Sequence, residues 1–441
     1  MMNTNLTCAV ITFSAENNCE YPNALSRSIA AAKAHSMGIF SKVVEQTVEH
    51  HTAASHYNAA VKAARNLGAE WILFITPDET LNVDAFALAE PALRVHDAVW
   101  GAASLCDGNS VVEPVVRKSR LACHSYEEFF HLALRWWIGK SYFIKTKIAE
   151  LYTSFEDTDL WRMKHLVHMW ENHLCLKTAH PLTTVHHALS DLDEHEREYL
   201  LHYLDEHPVY RTVHGGLQSY KLPYTGRNPV IEREQTRGIF YEEDELRYLV
   251  THIPSDAVIV DVGANTGNHT VYFSLFTPAQ KIIPIEPTPH AITALKRAVA
   301  VNNLHNIDDS KLGVGAGADY GAYSLKLSQG GGLGATRLKA NTDGDIQVVP
   351  LDDLIQEPID FMKIDVETME MEVLKGAQNL ITQHQPLIFI EIENSNIEAF
   401  LHWIDTNTYQ IEKIFPDKSH ANYLISPINT VNHADEGGTH A

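Results

Sequence analysis

Val258-Ile259-Val260-Asp261 is an unbroken apolar run ending on a carboxylate, and it leads into Asp261-Val262-Gly263-Ala264-Asn265-Thr266-Gly267. Glycines at 263 and 267 let a chain leave a strand sharply and pass close to a ligand before a helix starts, as at nucleotide-type sites. A second run, Ile282-Ile283-Pro284-Ile285, ends on Glu286, about 20 residues past the turn, where a carboxylate can accept both hydroxyls of a ribose. A third, Phe361-Met362-Lys363-Ile364, ends in Asp365-Val366-Glu367, charges set at the sheet edge where open α/β folds bind ligands.

The glycine turn lacks the G-x-G-x-x-G spacing that seats a pyrophosphate on a helix N-terminus. A dinucleotide is therefore disfavoured, and S-adenosylmethionine, which carries no phosphate, fits the pattern. Methyl transfer from it needs the acceptor atom, methyl carbon and sulfur in line, and a base where the acceptor carries a proton. Asp365 and Glu367 are the candidate bases, with Glu391 and Glu393 behind them. The competing structural role for either of the first two is an ion pair with Lys363 or a carboxylate at a helix N-terminus. The segment Gly330-Gly331-Gly332-Leu333-Gly334 is dense enough in glycine to be expected as a lid over cofactor or acceptor.

The first half carries a different set. Trp71 to Ile75 is strand-like and runs into Thr76-Pro77-Asp78-Glu79. Asp78 is a candidate hard-oxygen ligand for the Mg²⁺ or Mn²⁺ that would neutralise a departing diphosphate. Glu156-Asp157 precedes an apolar helical pattern, where a carboxylate could deprotonate an acceptor hydroxyl. His186 and His187 close another strand-like run, and a neutral imidazole there could complete a metal shell.

These residues need sheets to hold them, and the hydrophobic pattern supplies two. Cys8–Phe13, Ala24–His35, Lys42–Val48, Ser55–Leu67 and Trp71–Ile75 alternate strand and helix. A second alternation runs through Glu242–Thr251, Ala257–Val262, Thr270–Phe276, Lys281–Ile285 and Ala291–Asn302. Between them, Leu222-Pro223-Tyr224-Thr225-Gly226-Arg227-Asn228-Pro229 is a cluster of turn formers. The expected organisation is an N-terminal α/β domain over 1–215, a linker over 216–237, a second α/β domain over 238–431 and a disordered tail over 432–441.

The 441 residues exceed what one core usually organises, and the formal net charge of -22 would repel nucleic acid and anionic lipid. No apolar run is long enough for a membrane span and the first residues are polar, so a cytoplasmic protein without membrane insertion is expected. The 5 cysteines form no C-x-x-C pair and are expected as reduced buried thiols, and the 26 histidines show no zincin spacing.

Asp261-Val-Gly-Ala-Asn-Thr-Gly-Asn-His-Thr270, Glu286-Pro287, Leu351-Asp352-Asp353-Leu354, Lys363-Ile-Asp-Val-Glu367, Glu370 and Val373-Leu-Lys-Gly-Ala377 together resemble the FkbM-family methyltransferases. The resemblance covers about 238–393 and implies a Rossmann-like class I fold with S-adenosylmethionine-dependent O-methylation, commonly of sugar or polyketide hydroxyls. It carries Asp261, Gly263, Ala264, Asn265, Gly267 and Glu286 over as cofactor residues. Thr368 departs from the family, which usually has glycine there. Asn58, the Asp78 region, the Glu156-Asp157 pair and His186 in turn resemble the inverting family 2 glycosyltransferases of GT-A fold, over about 5–190. That resemblance implies Asp157 as catalytic base, Asp78 and His186 as metal ligands for Mn²⁺ or Mg²⁺, and Glu45 or Glu49 near the nucleotide. Thr76 stands where that family's D-x-D pattern has an acid.

The two resemblances imply a bifunctional enzyme of glycan or polysaccharide biosynthesis, taking a nucleotide-sugar donor and a glycan acceptor. Two other readings stand beside it: a methyltransferase whose N-terminal domain binds a glycan or nucleotide-sugar without catalysing, and a scaffold of a polysaccharide assembly complex. No motif speaks to oligomeric state.

Overall fold

A computed structural model describes residues 6–13, 22–35, 40–48, 53–75, 79–107, 110–114, 123, 125–135, 141–153, 160–185, 194–326 and 337–428. The chain is mixed α/β and divides into two compact units, 1–207 and 208–441.

In the first unit the order is β1 (Leu6–Phe13), α1 (Pro22–Ala34), β2 (Phe40–Val48), α2 (Ala53–Asn66), β3 (Trp71–Ile75), β4 (Glu79–Leu81), α3 (Ala85–Leu93), β5 (Ala98–Asp107), β6 (Ser110–Pro114), α4 (Tyr126–Arg135), β7 (Tyr142–Lys145), α5 (Thr146–Ala149), α6 (Trp161–Asn172), β8 (Cys175–Val185) and α7 (Glu194–Glu206). Among the described residues these strands form one sheet in the order β2-β1-β3-β7-β5-β8-β4, with β6 paired to β5. β1 pairs in parallel with both β2 and β3. The first crossover helix leads to one side of β1 and the second to the other, so β1 marks the point where the strand order reverses. β3 is buried at every position, which explains why it reads as a continuous apolar run. Cys8, Cys123 and Cys175 are buried free thiols.

The second unit opens with the hairpin β9 (Val209–Gly215) and β10 (Gln218–Tyr224), then α8 (Pro229–Thr236) and α9 (Glu243–Leu249). There follow β11 (Val258–Val262), α10 (Asn268–Phe276), β12 (Lys281–Ile285), α11 (Pro289–Val301), β13 (Val314–Ala316), β14 (Gly321–Lys326), β15 (Arg337–Ala340), β16 (Ile346–Val349) and α12 (Leu351–Leu354). The chain finishes through β17 (Phe361–Ile364), α13 (Glu370–Gly376), α14 (Gln378–His384), β18 (Leu387–Glu393), α15 (Ile397–Asn407), β19 (Tyr409–Pro416) and β20 (His420–Pro427). The main sheet runs β12-β11-β17-β18-β20-β19, and a smaller one runs β13-β16-β14-β15. β11, β12, β17 and β18 are parallel neighbours, with the antiparallel β20 and β19 at the far edge. β11 connects outward to β12 and β17 outward to β18, so the reversal falls between β11 and β17, where their carboxyl ends leave a crevice.

Residues 216–237, expected as a linker, lie in the second unit and include β10 and α8. Leu222, Pro223 and Tyr224 at the end of β10 are all buried, Leu222 in the same core as Phe240, Val271 and Leu424. Pro229 sits in the first turn of α8, where its fixed φ and missing N–H cost nothing. Residues that read as a run of turn formers are thus a hairpin strand and a helix start, because burial against the core outweighs local turn propensity. The tail at 432–441 and the glycine segment at 330–334 lie outside the described residues. No helix among the described residues is long and apolar enough to cross a membrane.

Candidate active site

The carboxyl ends of β11, β12, β17 and β18 surround a cavity of about 690 Å³. Its base is an ion pair between facing positions on neighbouring strands, Asp261 of β11 and Lys363 of β17. Lys363 Nζ lies 3.3 Å from Asp261 Oδ1 and 3.4 Å from Asp365 Oδ2, and it donates to the Gly263 carbonyl at 2.8 Å. Burial opposes a charge on Lys363, and the two carboxylates outweigh it and hold the ammonium protonated. The other Asp261 oxygen accepts the Thr270 hydroxyl from α10 at 2.5 Å. At 0% exposure, Asp261 ties β11, α10 and β17 together from beneath the cavity instead of facing into it.

Gly263 lies in the left-handed region at φ 78°, and a Cβ there would stand 1.8 Å from the Asp365 carbonyl oxygen. The close approach that demands glycine is therefore made by the chain's own backbone leaving β17. Gly267, at φ 90°, caps α10, and its N–H reaches the carbonyl of the buried Ala264 at 2.9 Å. Between them Asn265, also left-handed at φ 50°, lines the cavity.

Glu286 is buried at the end of β12, with Oε2 accepting the Asn265 N–H and Oε1 the Thr288 N–H, both at 2.8 Å. The Thr288 hydroxyl also donates to this carboxylate, and the acceptor capacity that remains can take a ribose hydroxyl. Burial raises the Glu286 pKa against these hydrogen bonds and the distant charge of Lys363. A buried carboxylate fixed by backbone donors and left with acceptor capacity toward a cavity is what a ribose requires, so the residues present fit S-adenosylmethionine.

Sequence reasoning missed the roof. Glu232 accepts the N–H groups of Thr225 and Gly226 and the Thr225 hydroxyl, which shapes the turn before α8. That turn delivers Asn228, whose Nδ2 donates to Asn265 Oδ1 at 3.2 Å. Asn before Pro and an apolar-periodic segment was the available signal.

The opposite wall is acidic. Glu367 is pushed up to about 7 by burial and then by the charge of Asp365. Glu391, on β18, is pushed up to about 9 by burial and then by Asp365 and Glu367. Several of these carboxylates have cationic or imidazole partners: Arg337 donates to Glu393 at 2.6 Å, His420 Nε2 lies 3.4 Å from Glu391, and His269 Nε2 lies 3.3 Å from Glu242. Burial disfavours the charge on Glu242, and the His269 hydrogen bond outweighs it and lowers its pKa. Glu242 escaped notice because by sequence it only begins a helical pattern. Asp365, 36% exposed, shares Lys363, so the ion-pair role weighed for it is occupied.

The chain bends into this wall through two consecutive left-handed residues, Glu367 at φ 52° and Thr368 at φ 88°. A β-branched residue at such a φ costs about 1–3 kcal/mol. The Thr368 N–H donates to Glu370 Oε1 at 2.8 Å, and Glu370 is fully buried, so the turn is held from behind.

In the first unit Asp78, Asp157 and His186, with Thr76, Glu156 and Glu49, lie outside the described residues. Asn58 is exposed on α2, and Glu45 is on β2. Among the described residues no three His, Cys, Asp or Glu side chains converge as a metal site.

A cavity at a strand-order reversal, with the buried Glu286 carboxylate beside it, marks the carboxyl edge of the parallel strands as the candidate site of this mixed α/β unit. Residues 261–419 match the methyltransferase FkbM domain. The chain is 28% identical to methyltransferase sdnD of Sordaria araneosa, with 30% of this chain and 64% of that one covered. It is also 28% identical to hexuronic acid methyltransferase AglP of Haloferax volcanii, with 35% and 64% covered. The chain thus spans slightly less than two thirds of the length of these relatives. The crystal structure of a methyltransferase FkbM from Methylobacillus flagellatus is 24% identical, with 39% of this chain and 44% of that one covered at a TM-score of 0.29.

Proposed function

We propose that the second unit is an S-adenosylmethionine-dependent O-methyltransferase acting on a sugar hydroxyl. The observation that carries this reading is Glu286, buried, held by two backbone N–H groups and set on the cavity between the β11 and β12 ends. Bound S-adenosylmethionine supplies an electrophilic methyl group and departs as S-adenosylhomocysteine. Glu286 and Asn265 hold the nucleoside end. Glu367 takes the acceptor's hydroxyl proton as the oxygen–carbon bond forms, since a carboxylate near 7 divides between base and acid at physiological pH. Asp365 lies beside it and pairs with Lys363. The relative named for hexuronic acid methylation supports a sugar as the acceptor class.

For the first unit the reading is sugar transfer from a nucleotide-sugar, with Asp157 as base and Asp78 and His186 on Mn²⁺ or Mg²⁺. Its support is the reversal of strand order at β1, because the carboxyl ends of β1 and β3 are where such a sheet takes a nucleotide, and Asp78 follows Ile75 closely in the chain. Joining the two activities raises the effective concentration of a shared glycan. Calorimetry of the full chain with S-adenosylmethionine, and with UDP-, GDP- and dTDP-sugars plus Mn²⁺, tests both halves. Binding of S-adenosylmethionine alone leaves the first unit a noncatalytic module; no binding of it removes the methyltransferase reading.

A further inference from the structure

The charge carried by the cavity wall goes beyond methyl transfer as such and bears on what the acceptor can be. Away from Glu286, the lining includes Glu242, Asp365, Glu367, Glu391, Glu393 and Asp417, delivered by the start of α9, the exit of β17, the end of β18 and the β19–β20 turn. These segments are far apart in the chain, so the clustering is a product of the fold.

Among the described lining residues the sole lysine or arginine is Arg337, which is committed to Glu393 at 2.6 Å. Lys363 lies behind the wall at 2% exposure and is shared by Asp261 and Asp365. His420 stands between Glu391 at 3.4 Å and Asp417 at 3.9 Å. Among the described residues, each of these cationic or imidazole side chains therefore already faces a carboxylate. Burial and mutual repulsion hold Glu367 and Glu391 partly protonated, the sign of a site with more negative charge than it can neutralise.

We infer that the acceptor is a polyhydroxyl compound carrying no carboxylate or phosphate beside the reacting hydroxyl: a neutral or amino sugar and not a uronate or sugar phosphate. Carboxylates accept hydrogen bonds from vicinal hydroxyls and from ammonium groups, whereas an anion here meets a surplus of like charge in a partly dehydrated cavity. The inference rests on the methyltransferase reading.

The test uses the full chain saturated with S-adenosylhomocysteine and titrated at low salt with methyl glycosides in matched sets: neutral, 2-amino and uronate forms of the gluco series, and the same three of the galacto series. Saturation-transfer NMR reads occupancy. The neutral or amino member should bind at least about tenfold more tightly than the uronate of its series. The gap should narrow as salt is raised, and again in Glu391→Gln/Glu393→Gln. A uronate that binds as well as its neutral partner overturns the inference, as does failure of every glycoside to bind the loaded protein. Failure of S-adenosylhomocysteine itself to bind is a separate result and removes the methyltransferase reading instead.

Discussion

Replacing Glu286 with glutamine keeps the shape of the side chain and removes its charge and one acceptor. In the native site each carboxylate oxygen accepts a backbone N–H at 2.8 Å, from Asn265 and from Thr288. In Glu286→Gln one of those donors faces an amide NH₂, so either the side chain turns or one backbone donor loses its partner. On the ligand side, a ribose hydroxyl either loses its acceptor or exchanges a charged partner for a neutral one. Hydrogen bonds to charged groups contribute about 1.5–3 kcal/mol and neutral ones about 1. The combined loss is about 2–3 kcal/mol, or about 30- to 150-fold in Kd. Calorimetric titration of S-adenosylhomocysteine into the full-length variant measures it, with a thermal melt to establish that the variant is folded. A folded variant with a Kd within about threefold of the native value would refute the assignment of Glu286 to the ribose.

Other outcomes follow from the same geometry. With Glu367 near 7 and Glu391 near 9, methyl transfer should rise as pH climbs through about 7, where Glu367 loses its proton, and should fall near 9 if neutral Glu391 is also required. Glu367→Gln should abolish the rising limb, and a flat profile from about pH 6 to 9 in the native enzyme would exclude Glu367 as the base. Thr368→Gly relieves a residue at φ 88° while giving the unfolded chain more freedom, so a net gain of about 1 kcal/mol and a rise of a few degrees in Tm are expected. No rise in Tm would mean that the turn bears no strain. Lys363→Met strands Asp261 in the core with only Thr270 as partner, and should cost about 3–5 kcal/mol in denaturant unfolding. A loss below about 1 kcal/mol would show that the pair is not holding β11 to β17.

The α/β alternation of both halves is legible in the chain because parallel strands buried on both faces have to be written as continuous apolar runs. Trp71–Ile75 and Lys281–Ile285 stand where the pattern places them. Glu286, Asp365 and Glu367 are legible for a related reason, since a charge that ends such a run must lie at the sheet edge. Asp261 satisfies the same rule and yet is turned under the cavity, because its direction depends on Lys363, a residue about a hundred positions away that the register sets beside it. The segment 216–237 misleads for the opposite reason: Pro, Gly and Asn mark turns locally, and only contact with the core shows that Leu222 and Tyr224 are strand residues and Asn228 part of the roof.

The sequence by itself determined that a carboxylate-ended strand, a glycine turn and a second strand-end acid would meet at one sheet edge, because those features lie within one βαβ segment and are fixed by local geometry. Only the tertiary structure decided that Glu242, Glu391, Glu393 and Asp417 join Asp365 and Glu367 around one cavity, with their cationic and imidazole neighbours already engaged. Those residues lie far apart in the chain, and the charge of a site depends on side chains that meet only when the sheet closes over them.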